Sequence, residues 1–130
     1  MTVRNLDAVC AALGRKLGTS GDKPKDTANS ITKALGVLEE QGVYALFLYL
    51  HARENGKFSE DLMNFLRNDM QLIQGEKKDE PFGALEELAK NLDDLLFARE
   101  LLHQVLVYAR YHAKAAQTVV AGNSEPERAI

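Results

Sequence analysis

Apolar residues recur at helical spacing along most of the chain, and where they stop, glycine, proline and small polar residues take over. Leu6, Val9, Cys10, Leu13 and Leu17 fall on one side of a first helix that Thr2 can cap and Gly18 can end. Residues 19–25 combine glycine, proline and small polar side chains and read as a loop. Asp26 is the expected cap of a second helix with Ala28, Ile31, Leu35 and Leu38 inward, and Gln41-Gly42 marks a kink or a short break before an apolar continuation over 43–54 that Gly56 stops. Ser59 is the expected N-cap of the next helix. Glu60 and Asp61 stand in its first turn, Leu62, Phe65, Leu66, Met70 and Ile73 face inward, and it ends near Gln74. A charged connection over 75–81 leads to a short helix over 84–92 and then to a long final helix from Asp93 or Asp94 to about Ala116 or beyond. No β-type alternation persists and no internal repeat is present, so the predicted fold is all-α. It is a single compact bundle of five to six helices over 1–121, with 122–130 as a flexible tail and the apolar run over 43–50 covered by the last helix.

At 130 residues the chain suits one domain with a core of its own. Its hydrophobic fraction of 45% beside 27% charged residues belongs to a folded protein rather than a disordered one. The lone Cys10 has no internal disulfide partner and no Cys/His cluster has zinc spacing, which points to a reducing, cytoplasmic setting. The first residues include Asp7 and no long apolar core, unlike a signal peptide. The longest apolar run, 43–50, falls far short of the roughly 20 residues that span a bilayer, so no membrane role is expected. A net charge of −3 argues against nucleic-acid binding through a globally basic surface, and any such binding must use a local stripe of the 16 basic residues.

One stripe is visible. Projected at about 100° per residue, the last helix places Ala98, Leu101, Leu102, Val105, Ala109 and His112 on its buried side. Arg99, His103, Arg110 and Lys114 share a separate strip, interrupted by Leu106. Such a basic ridge suits phosphate oxygens, because guanidinium forks present donors in a fixed direction; it equally suits an ordinary solvated face. Arg4 and Arg15 add a second strip on the first helix, and Lys23, Lys25 and Lys33 add charge at the first loop and the next helix.

Catalytic readings find less support. His51 ends the apolar run with no evident nucleophile to activate, and His112 is expected within or at the rim of the core. Glu100 and His103 match one Glu-x-x-His motif of di-iron bundles, but the second copy that such a centre needs is absent, so no metal or other cofactor is expected. Arg99 with His103 is similar to the Arg–His pair of helical ribonucleases of the HEPN type, at a shorter spacing. No Gly-rich phosphate loop exists. The pairs Glu39-Glu40, Glu86-Glu87 and Asp93-Asp94 point their side chains about 100° apart on a helix, which solvation and capping explain without catalysis.

Two stretches carry a family likeness. Residues 31–50, ITKALGVLEEQGVYALFLYL, and 101–113, LLHQVLVYARYHA, resemble the small helical subunit of type III CRISPR effector complexes, especially the Cmr type. The first is similar to that family's helix, Gly-centred bend and apolar continuation, with Gln41-Gly42 where Asn-Gly is usual; the second to its C-terminal helix of paired aliphatics followed by a basic and aromatic segment. Together they cover about a quarter of the chain. The resemblance implies a non-catalytic subunit of antiviral defence that stacks with copies of itself and other effector subunits and touches guide RNA and target strand through backbone contacts. Arg99, Arg110, Lys114 and His103 would then face phosphates, joined by Arg4, Arg15, Lys23, Lys25 and Lys33. The alternative from the residues alone is a helical protein–protein adaptor or dimeric regulator whose basic residues are merely solvated.

Overall fold

Asn5 opens the first helix: its side chain accepts a hydrogen bond from the Ala8 N–H at 3.1 Å, satisfying one of the amides that a helix start leaves without a partner. The computed structural model describes residues 5–73 and 81–124, with side chains through Thr118; the expected cap Thr2 lies outside them. The fold is all-α. Among the described residues six helices follow in order: α1 (Leu6–Gly18), α2 (Pro24–Gln41), α3 (Val43–Arg53), α4 (Ser59–Asn64), α5 (Pro81–Ala89) and α6 (Leu92–Ser124).

Boundaries differ from the sequence reading where backbone chemistry intervenes. Helix α2 starts at Pro24, two residues before Asp26, because proline's fixed φ suits a first helical position where its missing N–H costs nothing. Gln41-Gly42 is a break, not a kink. Gly42 donates to the Leu38 carbonyl as if the helix continued, yet sits at φ +99°, a region closed to most side chains, and α3 restarts one residue later. At the far end of α3, the Glu54 and Gly56 N–H groups share the Leu50 carbonyl at 3.1 and 2.8 Å. Phe58, at φ +71°, is the residue that precedes α4, so Ser59 is not a cap but a buried first-turn residue. Helix α4 then widens into a π turn over Phe65–Asp69, where the Met70 N–H reaches back five residues to the Phe65 carbonyl, and Gln71 at φ +55° ends it short of Gln74. Pro81 starts α5 three residues early. Asn91 caps α6, accepting from the Asp94 N–H at 3.1 Å. Helix α6 runs to Ser124, past the start of the expected tail; 125–130 lie outside the described residues.

The chain divides into two compact units, residues 1–33 with 104–130 and residues 34–103; α2 and α6 each contribute to both. In the first unit, Cys10, Leu17, Ala28, Ile31, Val105, Leu106, Ala109 and Ala113 are buried. Here α1 approaches α6 through glycine. A Cβ added at Gly14 would stand 2.5 Å from the Tyr108 Cβ and 3.0 Å from the Val105 carbonyl oxygen, and one at Gly18 would run into the Ala109 carbonyl. The first helix therefore buries Cys10, Gly14, Leu17 and Gly18, while Leu6, Val9 and Leu13 are only half-buried. Small residues facing each other let the two backbones nearly touch.

The second unit is built on volume instead. Phe47, Leu50, Leu62, Phe65, Leu66, Leu85 and Leu102 are at most 1% exposed, and each such side chain contributes about 1.5–3 kcal/mol by leaving water. Helix α3 packs on α4 and α5, with the Tyr44 and His51 rings set against Phe82 at centroid distances of 5.3 and 5.4 Å.

Candidate functional site

The strip on α6 is the first place to look for polyanion recognition, and its residues have different fates. Arg99 donates through Nη2 to the Glu39 backbone carbonyl at 2.7 Å. The break at Gly42 leaves that carbonyl among the last four of α2, without the partner that a continued helix would supply, so Arg99 acts as a side-chain cap for the end of α2. His103 meets the Glu39 carboxylate, Nε2 to Oε2, at 2.7 Å. With Leu38 and Glu100 these three residues line a cavity of about 200 Å³. Leu106, which only interrupted the strip in projection, is fully buried, so the line Arg99–His103–Arg110–Lys114 is not one continuous solvent face. Arg110 is half-buried and its Nε has no hydrogen-bond acceptor, while Lys114 is exposed.

The remaining predicted cations gather in the first unit. Arg15, Lys23, Lys25 and Lys33 are exposed, and among the described residues neither they nor Lys114 form an ion pair. Arg4 belongs to the same unit but lies outside the described residues. Counted over the sequence, that unit carries nine basic residues against five acidic, a balance of +4; the other carries seven against fourteen, −7, and the two make up the −3 of the whole chain. One of the first unit's acids is engaged: the Tyr108 hydroxyl donates to Asp7 at 2.5 Å, and that bond to a carboxylate, which the neutral phenol alone can donate, raises the Tyr108 pKa above its ordinary value. Arg99 and His103 belong to the other, acidic unit.

Two further expectations, for His51 and Glu39, are corrected by side-chain contacts. His51 does have a hydroxyl partner: its Nε2 lies 2.9 Å from the Ser59 Oγ. Eight residues of separation across a loop concealed that pairing. Of the two positions expected for His112, within the core or at its rim, its half-burial fits the rim, and Ala113 takes the buried position beside it. Glu39 is not simply solvated, since both its carbonyl and its carboxylate are used. Burial, with the Asp7 carboxylate adding to it, pushes the Cys10 thiol up to about 11, which makes it a poor nucleophile near neutral pH. Among the described residues no three His, Cys, Asp or Glu side chains converge as a metal-binding group, and no helix is long and apolar enough to cross a membrane.

Compared with protein-family models, curated proteins and solved structures, the chain matches none of them.

Proposed function

We propose that this protein is a non-catalytic, RNA-contacting subunit of a larger cytoplasmic ribonucleoprotein assembly, of the kind named by its resemblance to the small subunit of type III CRISPR effectors. In such an assembly it would lie beside copies of itself and other effector subunits and touch guide RNA and target strand in antiviral defence. The observation that supports this best is the separation of charge. Arg15, Lys23, Lys25, Lys33 and Lys114 stand exposed without ion pairs among the described residues, in a unit with a balance of +4. Cations with no carboxylate to satisfy them are the ones a phosphate backbone recruits, because binding releases the counterions condensed on the nucleic acid. Backbone recognition of this type reads shape rather than sequence.

The test is RNA binding measured by fluorescence anisotropy over a range of salt concentrations. Replacing Lys33, Arg110 and Lys114 together by glutamine should weaken binding across unrelated RNA sequences. The slope of log K against log salt should become shallower by about 0.7 for each phosphate of a single-stranded RNA that the variant no longer neutralises. Arg99→Gln, which alters a side chain occupied with Glu39, should leave that slope unchanged. Unaltered binding by the triple variant would sink the proposal.

The exposed apolar side chains support the alternative adaptor reading. Leu92, Leu96 and Phe97, at 64%, 51% and 40% exposure, crowd the start of α6, and Leu48 and Tyr44 stand out on α3. Under that reading the triple variant leaves partner capture intact while Leu96→Glu abolishes it.

A further inference from the structure

A second cavity, of about 280 Å³, lies in the acidic unit and collects residues from both sides of the loop between α3 and α4. His51 at the end of α3, Ser59 at the start of α4, and Asn64 and Arg67 from the last turn of α4 and its π extension all line it. The imidazole is held from two directions. Its Nε2 is 2.9 Å from the Ser59 hydroxyl, and its ring sits edge-on to Phe82 at 5.4 Å. Ser59 is almost wholly buried, at 4% exposure, so the hydroxyl is fixed in place by the histidine.

Arg67 is the unexplained member. Its Nε is shut off from solvent and has no hydrogen-bond acceptor, and among the described residues no carboxylate pairs with it. Only the Nε is closed off, Arg67 as a whole being half-buried, and a shielded donor without an acceptor costs free energy that native proteins seldom leave unrecovered. The π turn bears on this. It re-aims the side chains of Phe65–Asp69 relative to a regular helix, and π turns of this sort are frequent at functional sites.

We propose that this cavity is a binding site for a small oxyanion, a phosphate or a carboxylate group of a low-molecular-weight ligand. Arg67 supplies the fork of donors, which matches two oxygens of such a group, and Asn64, three residues before it on the same helix, and the His51–Ser59 pair supply further polar contacts along the lining. Glu60 also lines the cavity but is exposed, so water screens its charge and it weakens anion affinity without abolishing it. The residues named here all belong to the acidic unit, and none of them is a cation on which the proposed RNA contact depends, so the two proposals are tested independently.

The experiment follows the histidine side-chain NMR signals of the full chain during titration with inorganic phosphate, and in a second arm with acetate, at fixed pH and ionic strength. His51 should shift saturably with at least one of the two, and the stronger arm identifies the oxyanion class; His103 and His112 serve as internal references. Arg67→Gln should weaken the response about tenfold or more, as expected for removal of a charge-assisted hydrogen bond. Glu60→Gln, at an exposed position that leaves the fold intact, should tighten it several-fold. Equal movement of all three histidines, no saturation with either anion, or a Glu60→Gln affinity no tighter than the parent would each overturn the proposal, even if Arg67→Gln failed to fold.

Discussion

The two units of this chain are held together in opposite ways. In the unit formed by 1–33 and 104–130, the decisive residues at the α1–α6 contact are those without side chains, because Gly14 and Gly18 let α1 rest on the α6 backbone at Val105, Ala109 and Ala113. In the unit formed by 34–103, Phe47, Phe65 and a set of leucines fill the interior by bulk. Charge follows the same division. The first unit carries a surplus of cations, several exposed and without ion pairs among the described residues, whereas the second carries a surplus of acids and turns Arg99 and His103 onto Glu39. One chain thus places its surplus of cations in one region and its surplus of acids in the other.

The sharpest way to break this comparison is to change volume in each unit in the opposite sense. Phe47→Ala should destabilise the protein by about 3–5 kcal/mol in urea denaturation, since a fully buried ring is removed from a packed interior. Gly18→Ala should cost about 2–3 kcal/mol even though alanine is the better helix former, because the added methyl meets backbone rather than a side chain that can turn away. Gly36→Ala is the internal contrast. Beyond its chain neighbours and its own helix backbone, nothing lies within 4 Å of a Cβ placed there, so the same substitution should stabilise by roughly 0.5–1 kcal/mol. A neutral Gly18→Ala would mean that α1 does not approach α6 as closely as the unit requires.

These glycines also mark the limit of what the sequence could disclose. Periodic leucines, valines and alanines made the helices and most of their inward faces legible: Ala28, Ile31, Leu35 and Leu38 in α2 and Ala98, Leu101, Leu102, Val105 and Ala109 in α6 are all buried as their spacing predicts. Gly14 carries no such signal and Gly18 reads only as a helix end, because a residue defined by what it lacks leaves no hydrophobic mark, and its meaning comes from Ala109 and Ala113 some ninety residues away. The polar contacts were hidden for the same reason. The pairings of His51 with Ser59 and of His103 with Glu39 join different helices, and a helical projection treats each helix alone. Projection did show Leu106 interrupting the strip from Arg99 to Lys114, but not that its full burial divides it.

Alkaline pH sharpens the comparison within the first unit. Cys10 is 1% exposed on α1, and burial followed by the Asp7 charge raises its thiol from 9.0 to about 11. A thiol harder to ionise in the folded state than in the unfolded one favours folding fully below pH 9, and that contribution disappears as pH climbs from about 9 to 11. Its size is on the order of 2–3 kcal/mol. Cys10→Ala should flatten the alkaline fall in urea midpoint, and Cys10 in the native chain should resist thiol reagents at pH 8 on the time scale of unfolding. Rapid labelling at pH 8 would show that the α1 seam opens without global unfolding, contrary to close backbone packing.

The smallest effect tests the acidic unit. His103 and Glu39 meet at 2.7 Å, but their side chains are 40% and 54% exposed, so water screens the pair and its coupling should fall below about 1 kcal/mol in a Glu39→Gln, His103→Gln double-mutant cycle. Arg99→Ala should cost more, about 1–2 kcal/mol, because it takes the donor from a backbone carbonyl at the end of α2 that the break at Gly42 leaves without its next helical partner. The order of these two effects is the informative result. If the carboxylate pair mattered more than the capped carbonyl, Glu39 would be holding His103 as a charge in a drier setting than its exposure allows, and the acidic unit would owe its order to electrostatics rather than to the packed rings and leucines beneath it.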